Sequence, residues 1–241
     1  CRNEGEDAAL YSAVKACSDF ACALGINIPT GKDSLSMTQK YGDKKVVSPG
    51  TVIISAGAEV KDVKKTVSPV VQAKDSSIYY VDFSNDELKL GGSALSQVLN
   101  KVGSDVPTVK SSEYFAKAFE AVQKLVSKKK LLAMHDISAG GMITALLEMV
   151  FANVKGGLDV NLDAFDCEDM IKVLFAENPA VLIQVANKNE ESVLEILSEA
   201  GVKAVRVAEP NNERNIVINH KDNEYMLFVD HLRDLWFKTS Y

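Results

Sequence analysis

Apolar side chains recur at Leu10, Val14, Cys17, Ala21 and Leu24, spacings of three and four residues that gather them on one side of a helix. Glu6 and Asp7 at the start complement the helix dipole, and Gly25 lies just past the end where a left-handed cap is needed. The pattern therefore predicts a helix over 7–24. A short apolar piece at 26–29 runs into a turn at 30–34, and 35–41 alternates as a strand does. Residues 51–57 are continuously apolar and β-branched around Val52, Ile53 and Ile54, which predicts a strand buried on both faces. The segment 61–75 mixes charge with serine and Pro69 and loses its period, which places a domain boundary near residue 66.

Beyond that boundary the period switches repeatedly between two and 3.6. Strands are expected at 78–83, 131–134, 158–162, 180–185, 204–207 and 216–219. Helices are expected at 111–128, capped by Ser111 or Ser112, and at 140–152, 168–174 and 188–200, with a glycine turn at 90–93 opening a shorter one. This alternation predicts a layered α/β (α+β) fold, a mixed sheet covered by helices.

Composition narrows the function without naming it. Of 241 residues 46% are hydrophobic and 25% charged, the balance of a globular protein with a sizeable core. A net charge of −6 argues against nucleic acid and against an anionic membrane as partners, so any phosphate must be held by local chemistry. Cys1, Cys17, Cys22 and Cys167 form no CxxC pair, and no run of 18 apolar residues or signal-peptide pattern occurs. The expected location is cytoplasmic. The chain opens on Cys1 without methionine and continues through polar residues, so it is expected to be a segment of a longer polypeptide.

The candidate chemistry concentrates in His135, Asp136, Ile137, Ser138, Ala139, Gly140 and Gly141, where a buried strand ends in a polar pair and two glycines open a helix. Asp136 at a strand end suits Mg²⁺, which takes one or two protein carboxylates and fills its other positions with water and phosphate oxygens. Gly140 and Gly141 allow close backbone approach while the first helical amides face an anion, and Ser138 can hydrogen-bond a phosphate. The same residues serve a purely structural reading equally well, with Ser138 as a cap, His135 hydrogen-bonded in the core and Asp136 offsetting the helix dipole. Both readings stand at this level.

Thr30, Gly31, Lys32, Asp33 and Ser34 invite comparison with a P-loop, but five residues separate Gly25 from Gly31, and Asp33 stands where that motif needs Ser or Thr. The turn can still offer backbone access at Gly31, charge at Lys32 and a hydroxyl at Ser34, or it can be a solvated turn. The Gly91 and Gly92 pair reads mainly as a turn, and Glu177 faces either a site or solvent. His220 and His231 lack partners at metal-ligand spacing. No nucleophile triad or dinucleotide fingerprint can be read.

Six segments, GEDAALYSAVKA, IPTGKDSLSM, SPGTVIISAGA, LGGSALSQV, HDISAGGMITALLEMVFA and LFAENPAVLIQV, stand in the order and spacing of the large form of phosphoribosylformylglycinamidine synthase, which the chain resembles over nearly its whole length. The closing Leu232, Arg233, Asp234, Leu235 and Trp236 resemble the family's approach to a glutaminase linker. The resemblance implies 1–66 as the end of an aminoimidazole-ribonucleotide-synthetase-like N-terminal domain, 67–228 as the matching C-terminal domain, and 229–241 as a tail leading to the glutaminase. It implies an ATP- and glutamine-dependent C–N ligase of purine biosynthesis acting on formylglycinamide ribonucleotide, with ATP/ADP and Mg²⁺ as cofactors. The partners so implied are the other synthetase half and the glutaminase. By motif, Asp136 would bind Mg²⁺ and Ser138, with Gly140 and Gly141, would contact nucleotide at an auxiliary, structural site. Gly31, Lys32 and Ser34 would face the catalytic site, near nucleotide and substrate phosphate. Lys32 stands where the smaller form of the enzyme has Asn, which argues against a metal role. The family's catalytic histidine belongs to the other half, so no catalytic base is assigned and the segment alone is expected to be inactive. Apolar surface on residues 1–60 is expected to be exposed and to favour self-association. The alternatives are a structural nucleotide-binding module, or another enzyme of the superfamily such as a selenophosphate synthetase or a hydrogenase-maturation protein.

Overall fold

The computed structural model describes residues 4–32, 37–48 and 50–238, and the chain forms two compact units, Cys1–Lys61 and Asp62–Tyr241. In the first, α1 (Glu6–Leu24) ends at Gly25, whose φ of 68° lets the amides beyond the helix return to Cys22 and Ala21 carbonyls. An antiparallel hairpin follows, β1 (Thr38–Tyr41) with β2 (Lys44–Val47), Thr38 lying opposite Val47 and Gly42 turning the chain. The expected strand at 51–57 is not formed. These residues are exposed, Ile53 at 85%, and no ladder includes them. β-Branched side chains favour a strand only where a neighbouring edge supplies hydrogen bonds and a surface to pack on, and the hairpin gives this run neither. Of α1 only Ala21 is buried, while Tyr11, Val14, Ile28 and Ile54 stand exposed, an apolar surface of the kind the sequence predicts for this region.

The second unit is built on seven strands: β3 (Ser76–Asp82), β4 (Leu131–Asp136), β5 (Gly157–Asn161), β6 (Ala180–Ala186), β7 (Ala204–Asn211), β8 (Asn215–His220) and β9 (Asn223–Phe228). Their order is β4-β6-β3-β7-β5-β8-β9, antiparallel except for the parallel pair β5 and β8, so the sheet is mixed as expected. Alternation along β3 feeds two cores. Ile78 and Tyr80 pack with α4 (Gly141–Phe151) and α5 (Met170–Phe175), whereas Tyr79, Val81 and Phe83 pack with α3 (Ser112–Ser127) and α6 (Glu190–Glu199). A short α2 (Ala94–Val98) follows the glycine turn, and a terminal α7 (Val229–Lys238) forms where the sequence suggested only a tail.

Three polar anchors fix the loops. Gln184, fully buried in β6, accepts from the Gln72 amide at 2.9 Å and donates to the Gln72 carbonyl and Ser76 Oγ. Arg214 donates to the carbonyls of Val150 at the end of α4 (2.9 Å) and of Gly156 just before β5 (3.2 Å), and pairs with Asp230 of α7 (2.9 Å). The side chain of Asp86, fully buried, takes Lys110 Nζ at 2.7 Å, Lys89 Nζ at 3.1 Å and Thr108 Oγ1 at 2.9 Å.

Burial alone would raise the Asp86 carboxyl, but the hydrogen bonds from Lys110, Lys89 and Thr108 outweigh it and hold the group well below the ordinary carboxylate range. A depressed folded-state value stabilises the protein fully above the unfolded value of about 3.9 and loses that contribution as pH falls toward the folded one. Asp86→Asn is therefore expected to cost about 2 kcal/mol at neutral pH, since solvent screens the half-exposed Lys110. The gap from the parent should narrow as the pH drops from about 5 to about 2. Urea unfolding across that range measures it, and a constant gap would contradict the charged pairing.

Candidate functional site

β3 and β4 run parallel on either side of β6, so their C-terminal ends emerge together, Asp82 opposite Ala180 and Asp136 opposite Val181. The chain leaves the sheet after Asp136, whose side chain is 74% exposed. His135 is turned inward, its Nδ1 2.8 Å from the Asp136 carbonyl and its Nε2 3.3 Å from Glu148 on α4. The buried Ile137 donates its amide to Ala180 O, fixing the exit of the strand. Ser138 is exposed, its carbonyl accepting the Gly141 amide at 3.0 Å.

The cap of α4 separates the two readings of Ser138. The N-cap residue is Gly140 and no side chain caps the helix, so the Ser138 hydroxyl is displayed rather than used in a cap. Gly140 and Gly141 have φ of +89° and +71°. A Cβ on Gly141 would lie 2.7 Å from Leu174 O and from Phe175 Cα, so the close approach this glycine permits is to the backbone at the C-terminal end of the protein's own α5.

Glu177 supplies the anion that the Gly140 amide faces. Its Oε1 accepts from Gly140 N at 2.8 Å and from Ala94 N at 2.7 Å, joining the turn at 138–141 to the glycine turn at 90–93 across the sheet end. Ser93 caps α2 through the Ser96 amide. The neighbouring Asn178, fully buried, donates to Ser84 Oγ and the Glu87 carbonyl and accepts from Lys89 N. The sequence left Glu177 between site and solvent. The signal available in the sequence is its position, directly before Asn178 and Pro179 in the short segment that leads to the apolar run at 180–185.

Asp136, Ser138, Gly140 and Gly141 thus share one rigid turn, with Glu177, His135 and Glu148 around them. Gly31 and Lys32 lie in the first unit, both exposed, and Ser34 falls outside the described residues. Among the described residues no group of three or more His, Cys, Asp or Glu is placed to hold a metal. One exposed carboxylate fits Mg²⁺ only as a single protein ligand to a cation whose other positions belong to water and phosphate oxygens. The turn can therefore present one carboxylate and one hydroxyl to such a complex.

Over residues 77–221 the sequence matches the family described as AIR synthase related protein, C-terminal domain, and over residues 1–59 that described as FGAR-AT PurM_N-like domain. Among solved structures, Thermotoga maritima PurL complexed with ATP superposes with a TM-score of 0.57 at 17% identity, over 71% of this chain and 28% of that one. Phosphoribosylformylglycinamidine synthase II from the same organism gives 0.58 at 19% identity, over 71% and 28%. T. maritima PurL complexed with FGAR gives 0.58 at 18%, over 71% and 30%. These likenesses establish the fold, and the chain spans less than a third of the length of those proteins. With more than half of its residues matched, this chain belongs to the AIR synthase related family.

Proposed function

We propose that the chain is the part of an ATP-dependent phosphoribosylformylglycinamidine synthase that carries one nucleotide-contacting turn. The observation that carries this reading is the order of the two family matches, an FGAR-AT type segment at 1–59 directly ahead of the C-terminal domain at 77–221. In this reading 1–66 is the end of an N-terminal domain and 67–228 the C-terminal domain. The helix at 229–238 leads toward a glutaminase that supplies ammonia from glutamine. The substrates of the whole enzyme are formylglycinamide ribonucleotide and ATP, and the PurL structures solved with FGAR, ATP, ADP and AMPPCP support that assignment.

Within this chain Asp136 would hold Mg²⁺ and Ser138 would donate to a phosphate oxygen, while Gly31, Lys32 and Ser34 would face nucleotide and substrate phosphate. Bound there, Mg²⁺ supplies positive charge against the phosphate oxygens. The residues of the chain do the positioning. Glu177 keeps the turn from fraying by holding the Gly140 amide, and Ile137 fixes the strand exit, so the Asp136 and Ser138 side chains are presented from a rigid base. No group in this turn is placed as a catalytic base.

Calorimetric titration of the 241-residue chain with Mg·ADP tests the site. Saturable binding is expected, with Asp136→Ala weakening it at least about tenfold, equivalent to ~1.4 kcal/mol. Ser138→Ala should weaken it by less, about 1 kcal/mol, below the usual contribution of a bond to a charged oxygen because the exposed hydroxyl trades it against water. Binding that ignores Asp136→Ala would remove the metal role from this turn.

A further inference from the structure

A cleft of about 510 Å³ opens in the second unit at the C-terminal end of β3, and none of its lining residues belongs to the Asp136 turn. Its floor is apolar: Tyr80, Leu88, Phe165 and Val205, with Tyr80 and Phe165 meeting edge to face at 5.4 Å between ring centroids. Its walls carry Lys110, Lys172 and Lys203 together with acidic residues.

Two of those acids are already engaged. Asp82 accepts the amides of Ser84 and Asn85 and the Ser84 hydroxyl, and Asp86 is neutralised by Lys89 and Lys110. Glu87 and Asp166 are exposed at the rim. Lys172, half-buried on α5, and Lys203, at the start of β7, enter no ion pair among the described residues. Meanwhile Tyr80, only 5% exposed, has a hydroxyl with no hydrogen-bond partner among the described residues. A buried hydroxyl left in that state costs about 1–3 kcal/mol, so an unpartnered one asks for an explanation. Burial, reinforced by Asp82 and Tyr114, raises the phenol far above its ordinary range, so the group remains protonated and acts as a donor. What it lacks is an acceptor.

We infer that this cleft binds a small organic anion carrying a single phosphate or carboxylate, its oxygens taking the Lys172 and Lys203 ammonium groups and, as the atoms that cover it shift aside, the Tyr80 hydroxyl beneath the cleft surface, while its body rests on Phe165 and Leu88. The volume suits a molecule of that size. Glu87 and Asp166 at the rim repel a longer polyanionic chain, which sets this cleft apart from a polyphosphate site.

The test uses the 241-residue chain labelled with ¹³C at tyrosine Cζ, with phenyl phosphate, benzoate and ATP as probes, each taken to about 10 mM, well past a millimolar Kd. Phenyl phosphate, benzoate or both should move the Tyr80 signal saturably, with ATP binding there more weakly. The probe that binds tells phosphate from carboxylate. Lys172→Ala with Lys203→Ala should raise Kd at least about tenfold, and Tyr80→Phe several-fold, the latter read from the amide shifts of cleft residues in a spectrum otherwise kept. Asp136→Ala should leave this binding unchanged. The inference is overturned if neither small probe saturates, if ATP binds there more tightly than both, or if Kd is indifferent to the lysine and tyrosine changes. A Tyr80→Phe protein that is more stable but binds identically would mean that the cleft holds only water.

Discussion

Gly141→Ala should lower the stability of the second unit by about 3 kcal/mol, the largest effect expected of any single-methyl change in the candidate site. Two costs add. A Cβ at φ +71° carries a left-handed penalty of about 1–2 kcal/mol. It also meets Leu174 O and the Phe175 backbone at 2.7 Å, where no flexible side chain can yield and the last turn of α5 must move, at about 1–3 kcal/mol. Against these, alanine restricts the unfolded chain and recovers under about 1 kcal/mol. For a unit of this size the net effect corresponds to a drop in Tm of about 6–12 °C. Gly201→Ala is the matched control, since its φ of +69° is similar but a Cβ there has nothing within 4 Å. It should lose only the conformational part. Equal losses at the two positions, measured by thermal and urea unfolding, would show that the approach to Leu174 and Phe175 does not matter. Because the displaced end of α5 leads within two residues to Glu177, the Gly141 variant should also weaken Mg·ADP binding.

Glu177→Ala is expected to cost about 2–4 kcal/mol and to loosen two turns at once. One carboxylate oxygen accepts both amides, and hydrogen bonds to a charged acceptor contribute about 1.5–3 kcal/mol each, less when a vacated amide can reach water. Glu177→Gln keeps an oxygen where both amides need it and loses only the charge, so it should cost about 1 kcal/mol. Amide hydrogen exchange gives the decisive reading. In the alanine variant protection should fall at Ala94 and Gly140 together, though 46 residues separate them in sequence, and the glutamine variant should keep most of it. Loss at only one of the two amides would break the bridge apart.

The parts of this fold that were legible in the sequence are those whose signals are local. Ser111 caps α3 through the Tyr114 amide, Gly25 ends α1, and the 3.6 period of α3 and the continuous apolar run of β6 each state their element within a dozen residues. The run at 51–57 misled because β-propensity describes a fit to a neighbouring strand, and that neighbour is not encoded in the run. Asp136 could be placed at a strand end, with Ser138 just beyond it, from the change of period alone. Glu177 could not be given partners, because its two bonds span 83 and 37 residues and depend on β3 and β4 leaving the same end of the sheet. The helix at 229–238 went unread for a related reason. Its hold on the domain runs through Arg214 to Asp230 and through Phe151 to Trp236, contacts that no periodicity announces.

Those contacts give α4 two clamps of different origin. Its 11 residues make a rod about 16 Å long. Glu177 grips one end through Gly140, and Arg214 grips the other through the Val150 carbonyl while also holding α7 by Asp230. A hydrogen-bonded helix packed into a dense core compresses little and passes displacement along its axis. Mechanically, α4 is a strut between the terminal helix and the turn that displays Asp136, and a shift of α7 in an assembled protein loads that turn directly, at a point four residues beyond the carboxylate.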